Sequence, residues 1–311
     1  MTGGFVYIIS IPKMKNKRFS PLFVLMLFVA QITFAQQFAF KVLVSKGKNE
    51  VKSGGSWQPI KVGAQLQKND EIRLSPNAYL GLMHNEGKPL ELKEAGAHKV
   101  SKLEESLQKG GSSVVAKYTD YILSSNNSAN TLKATGAVHR GPENIEVFLP
   151  TAPSFTVVYG DEVILSWNKL DMKGPFDVTL SNPFGDILKE MKTETNSVTI
   201  NLADRDFQHE DNIMIKVFSK SDNKVSPDQL MVKRLSKADK ERMKKQLDEI
   251  AATTSEETAL NNLVRAGFFE SQNLLIDAAT AYQKAAMLAP DVPEYQTYFE
   301  SFLVRTGLKT K

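Results

Sequence analysis

The stretch Tyr79–Lys93, YLGLMHNEGKPLELK, decides how the first third of this chain is read. It sets His84 and Glu86 two positions apart, a pairing that invites a metal or acid–base site. A metal site needs a third ligand from elsewhere, and no HExxH motif or equivalent spacing occurs in the chain. The neighbouring residues point the other way. AYLGLM and PLELK have strand character, and His84-Asn85-Glu86-Gly87 is a polar bend ending on a residue free to take positive φ. The stretch predicts a β-hairpin in which Gly87 matters more than His84.

Outward from that hairpin, residues 36–150 read mostly as short strands divided by turn residues. FAFKVLVSKG alternates, WQPIKVG follows a Gly-Gly turn, and EIRL lies between Asn-Asp and Ser-Pro-Asn. After Ser101 the period changes. SKLEESLQ places Ser101 as a helix cap with Glu104 in the capping-box position, and SSVVAKYTDYILSS carries apolar residues at helical spacing. The polar SNNSAN then leads into TLKATGAVHRG and a strand over NIEVFLP.

The run Trp57–Leu92 resembles the FecR-type periplasmic domain: a Trp-x-Pro start, a Gly, a turn before Ile-Arg, an alternating strand and a Gly turn. ATGAVHRG resembles the Gly-Val-Arg-Gly element that closes such domains, with His139 inserted before Arg140. Departures from the pattern are Asn69-Asp70 in place of Gly-Asp, Leu74-Ser75 in place of a small-hydroxyl turn, and the helical pair after Ser101. The resemblance implies a role in envelope sensing. FecR itself joins a cytoplasmic segment to its periplasmic domain through a membrane helix. No such segment precedes the apolar run here, so partner or glycan binding is expected rather than transmembrane signalling.

Residues 151–236 read as purely β, with candidate strands FTVV, VILSW, FDVTLS, DILKEMK, SVTINL, IMIKVFS and QLMVKR. Seven short strands with polar turns predict a β-sandwich anchored by Trp167 and Phe176. The layout resembles fibronectin type III or immunoglobulin-like modules, which by itself implies no chemistry. From Lys237 the chain reads as helix. SKADKERMKKQLDEIAA places Met243, Leu247 and Ile250 on one face under a shell of charge. In the next stretch Ala266, Phe269, Ala278, Tyr282, Ala285 and Pro290 fall at the 8, 11, 20, 24, 27 and 32 positions of a tetratricopeptide repeat. Asn262 and Arg265 depart from that pattern, and PEYQTYFESFLVRTG reads as a capping helix. One repeat cannot bury its own face, so it is expected to pack on the charged helix or the sandwich.

The N-terminal stretch MKNKRFSPLFVLMLFVAQITFAQQ has the order of a secretory signal peptide. Lys15, Lys17 and Arg18 precede an unbroken apolar run of nine, Leu22–Ala30, and Thr33-Phe34-Ala35 sets small residues before a cut at Ala35-Gln36. A membrane span needs roughly 20 residues, so an uncleaved anchor is the lesser alternative. Met14 is the expected start. Removing the four basic residues before position 36 leaves 35 basic against 35 acidic, a balance unlike that of a nucleic-acid binder. The absence of cysteine excludes disulfides, thiolate nucleophiles, Cys-based zinc sites and a lipobox.

No nucleophile elbow, phosphate-binding glycine loop or dinucleotide fingerprint is present. The densest ligand-type cluster is ADRDFQHEDN, with Asp204, Asp206, His209, Glu210 and Asp211; it lacks the glycine and terminal Glu of a calcium loop and reads as a solvated acidic loop. Trp57 beside Pro59 reads as β-domain core, with stacking on a sugar as the alternative. Arg140 could contact an anionic ligand. The expectation is a multidomain α+β protein: leader 1–35, FecR-like β-domain with a small helical insertion 36–150, all-β sandwich 151–236, and tetratricopeptide-like helical end 237–311. Its expected function is non-enzymatic binding or scaffolding, without cofactor or metal, for an envelope protein or glycan in the periplasm or outside the cell. Trp57, Arg140, Phe269 and Tyr282 are the candidate partner contacts. The alternatives are a cation-dependent hydrolase using loop 204–211 and a structural envelope-assembly factor.

Overall fold

Eight short strands build the first β region of the computed structural model: β1 Phe40–Lys46, β2 Asn49–Lys52, β3 Trp57–Pro59, β4 Gln65–Leu66, β5 Glu71–Leu74, β6 Tyr79–His84, β7 Pro89–Leu92 and β8 Gly96–Lys99. The structure describes residues 38–107, 113–132, 145–152, 156–168, 173–226 and 230–309. The expected leader, residues 1–35, Arg140 and the ATGAVHRG element lie outside these.

The strands form two four-stranded sheets, ordered β4-β1-β6-β7 and β3-β2-β5-β8. They close over Phe40, Val42, Ile72, Leu80 and Leu82. The hairpin expected from Tyr79–Lys93 is present: β6 and β7 pair antiparallel with Met83 opposite Pro89. His84 N–H donates to Lys88 O and Gly87 N–H to His84 O, each at 2.8 Å. Gly87 sits at φ +83°, where a side chain is strained.

Alternation alone would give β6 one wet face, yet all six of its residues are buried. Leu80 and Leu82 face the inter-sheet core, while Tyr79 and Met83 face helices. Gly81 makes this close approach feasible, since a Cβ there would lie 3.1 Å from Val44 Cβ and 3.2 Å from Leu260 Cδ1.

Two helices follow, α1 Val100–Ser106 and α2 Ser113–Leu132. The expected capping box does not form: Lys99 is the N-cap, with no side-chain cap bond. Glu104 instead reaches Lys68 Nζ at 3.0 Å and His84 Nε2 at 3.4 Å, because tertiary charge partners outcompete a local backbone donor. The helix α2 runs on through SNNSAN, which holds no Gly or Pro to stop it. The strand expected over NIEVFLP is reduced to one bridge, Val147 with Trp167.

The second β region has β9 Val157–Val158, β10 Glu162–Ser166, β11 Phe176–Ser181, β12 Ile187–Thr193, β13 Ser197–Asn201, β14 Asn212–Ser219, β15 Lys224–Val225 and β16 Leu230–Arg234. One sheet is ordered β12-β11-β14-β16-β9 with β15 on β14, and β10-β13 form a separate pair. Between them lie Val163, Leu165, Val178, Ile215 and Val217, with Trp167 and Phe176 edge-to-face at 5.2 Å, as expected of core anchors.

Four helices complete the chain: α3 Lys237–Thr253, α4 Ala259–Ser271, α5 Leu275–Leu288 and α6 Pro293–Arg305. Ala266, Ala278 and Ala285, the small residues of the expected repeat spacing, are buried. The departures from that spacing have partners. Asn262 Nδ2 donates to Thr258 O (2.9 Å) and Glu257 Oε1 (3.0 Å), and Arg265 bonds Thr254 and Glu257, tying the end of α3 to α4. The helices have no core of their own. Met243, Leu247 and Ile250 of α3, residues of α4–α6, Val115 and Ile122 of α2, and Leu43, Val44, Tyr79 and Met83 of the first sheet share one cluster. From Phe38 onward the chain forms one compact unit, mixed α+β with the sheets preceding most of the helices.

Candidate binding surface

The strands β2, β3, β5 and β8 turn one face to the core and the other to solvent. Val51 and Ile72 point inward, so their neighbours Glu50, Lys52, Glu71 and Arg73 point outward. Registry extends two rows across this outer face: Trp57–Lys52–Glu71–Lys99, and Pro59–Glu50–Arg73–Ala97. Trp57 is therefore not a core residue. A three-residue edge strand gives little pattern from which to read its facing, and Pro59 there is as compatible with an edge as with a core.

The indole is half-buried because cations cover part of it: the Arg73 guanidinium lies 4.4 Å from the ring centroid and Lys52 Nζ lies 5.9 Å from it. Arg73 Nη2 donates to Glu50 Oε2 at 2.6 Å, and Lys48 Nζ stands 3.6 Å from Glu50 Oε1. The Arg73 hydrogen bond is the main cause holding the Glu50 carboxyl below its usual range. Lys48, Lys52, Arg73 and Lys99 thus outnumber Glu50 and Glu71 on this face.

Tyr282 is enclosed. Its ring is 1% exposed and its hydroxyl donates to Glu270 Oε2 at 2.8 Å, so it has no surface to offer a partner. Burial, with the Glu270 charge beside it, raises its pKa well above the ordinary tyrosine value. Arg305 Nε and Nη2 donate to Glu270 at 2.7 and 2.6 Å, closing a buried lock between α4, α5 and α6. Phe269 is partly buried against the same core, 5.4 Å from Phe268.

Further polar contacts fasten helices to sheets. Asp277 accepts from the Tyr159 and Gly160 N–H groups at 2.9 and 2.8 Å, and Thr280 Oγ1 accepts from Ile164 N–H at 3.1 Å. Tyr298 Oη donates to Leu43 O at 2.7 Å, the Tyr79 and Tyr295 hydroxyls meet at 2.6 Å, and Leu260 N–H donates to Glu91 Oε1 at 2.9 Å. None of these has a sequence signature, because each joins residues more than a hundred positions apart.

The other candidates are held in structural roles. His84 Nδ1 accepts from Glu86 N–H at 3.2 Å, its Nε2 faces Glu104, and its ring packs edge-on against Phe40 at 5.2 Å. A cavity of about 200 Å³ lies beside it, lined in part by Lys41 and Asp120, which pair with each other. In the acidic loop Asp204 pairs with Lys189 at 2.6 Å, Phe207 is driven into the core, and His209 is exposed. Among the described residues no group of three or more His, Cys, Asp or Glu is placed to hold a metal ion, and no helix is long and apolar enough to cross a membrane. The chain matches no family model and no curated protein.

Proposed function

We propose that this chain is a secreted, non-enzymatic binding or scaffold protein of the cell envelope, acting on a protein or glycan partner. The charge order, apolar run and cut-site residues of positions 14–37 support export. The FecR-like run, the immunoglobulin-like strand pattern and the tetratricopeptide spacing of α4 and α5 all belong to classes used for recognition. The observation that carries the reading is how the polar groups are used. Glu270, Arg305, Asp277, Tyr298 and Glu91 join one element to another, whereas Trp57 and its cations stand on an open sheet face. Interlocked helices and sheets suit a rigid platform that presents such a face.

The test is fractionation and capture with a C-terminally tagged full chain. Export with a new N-terminus at Gln36, and retention of an envelope protein or glycan, are expected. A product that stays in the cytoplasm with the run Leu22–Ala30 uncleaved, or that retains nothing from envelope fractions, peptidoglycan or polysaccharide, would sink the reading.

A further inference from the structure

We infer that the outer face of the sheet β3-β2-β5-β8 is a carbohydrate platform for an anionic, uronate-type polysaccharide, centred on Trp57 with Lys52 and Lys99 as carboxylate contacts. The inference rests on the binding reading above and names the ligand class and the site.

The mature composition is charge-neutral, so a cationic face is a local property of the fold. Pairing brings Lys52 of β2 and Lys99 of β8 into one row with Trp57, on either side of Glu71. Adjacent strands lie about 4.8 Å apart, which sets the two lysine backbones roughly 10 Å apart, a length that linked sugar rings can follow. Neither lysine has a salt bridge within the described residues, whereas Glu50, the other carboxylate of the face, is already neutralised by Arg73 and Lys48. The face therefore has two cations available and one carboxylate, Glu71, between them.

The aromatic component is equally specific. The Arg73 guanidinium covers part of the indole at 4.4 Å and fixes its plane, so a ligand ring would meet the part of the indole that stays exposed. The face of a pyranose ring presents C–H groups, which the electron-rich indole face attracts, and a uronate carboxylate on that ring lies within reach of Lys52. An open sheet face, exposed at Pro59, Arg73, Ala97 and Lys99, suits an extended chain lying across the strands. An acidic peptide or a nucleic acid would need more cations than these and would gain less from a single indole.

The fluorescence of the chain allows a direct test, because it holds two tryptophans and Trp167 is fully buried. Iodide should quench Trp57 alone. Polygalacturonate is expected to protect Trp57 from iodide and to bind at least about tenfold more tightly than dextran of equal length. Both Trp57→Ala and the pair Lys52→Glu with Lys99→Glu should weaken binding about tenfold or more, with unchanged circular dichroism and melting. Raising salt to roughly 0.5 M should weaken it too. Equal binding of dextran, equal binding of polyglutamate or single-stranded DNA, or undiminished binding by Trp57→Ala would each overturn the inference. Capture of an envelope protein by the same chain would survive that result, so the two readings fail separately.

Discussion

Glu270 accepts two bonds from Arg305 and one from Tyr282 at a site where its side chain is 4% exposed, so removing it leaves a mostly buried guanidinium without its countercharge. Breaking a buried pair from one side costs about 3–5 kcal/mol, because the remaining charge keeps its desolvation penalty without its partner. Glu270→Ala and Arg305→Ala should each lower stability by that order, seen as a lower urea midpoint with unchanged slope. The double variant should cost much less than the sum of the two, since it leaves no lone charge. Additive losses would mean that the pair contributes no coupling. Of this lock only Tyr282 stood out in the sequence, as a position of the expected repeat spacing. Its hydroxyl partner lies twelve residues away and the guanidinium a further helix on, beyond any local pattern.

At the level of elements, α2 and α4 approach so closely that Gly267 has no room for a side chain: a Cβ there would lie 2.6 Å from Ile122 Cγ1 and 2.8 Å from Cδ1. Gly267→Ala should therefore destabilise the fold by about 1–3 kcal/mol through overpacking, despite the gain of up to about 1 kcal/mol in helix propensity. Adding Ile122→Val should recover part of the loss in chemical denaturation, and a stabilised Gly267→Ala would show that the contact yields freely. Strand and helix identities were largely legible because alternation, turn glycines and repeat spacing are local. The hairpin at Gly87 and the strand Phe176–Ser181 lie where those signals placed them. What the sequence could not convey was which face meets what. The outward facing of Trp57, the second covered face of β6, and the diversion of Glu104 from its cap to Lys68 and His84 all follow from residues distant in sequence.

Across the whole molecule, the joint between the helical end and the second β region includes a buried carboxyl beside the Thr280 bond to Ile164, and that carboxyl makes part of its strength depend on pH. Burial pushes the Asp277 pKa up to about 6 from 3.8, and the bonds from Tyr159 and Gly160 together with the Lys240 charge only partly offset it. Between about pH 4 and 6 the folded state then holds a proton that the unfolded chain has lost, so the contribution of Asp277 to stability falls as pH rises through that window. A shift of this size corresponds to about 3 kcal/mol. Other carboxyls run the opposite way. Burial raises Glu91, yet the Leu260 N–H and Lys93 outweigh it and hold its pKa below the usual range, so its contribution fades on acidification. Raw stability curves mix these opposing slopes, and a comparison of two variants separates them. Asp277→Asn carries no charge at any pH while leaving Glu91 in place. The wild-type chain should gain stability relative to Asp277→Asn by on the order of 2–3 kcal/mol as pH falls from about 7 to 4, read as a changing gap between their urea midpoints. A gap that stays constant across that range would mean that Asp277 is ionised throughout, and that the joint holds a charged carboxylate rather than a titrating one.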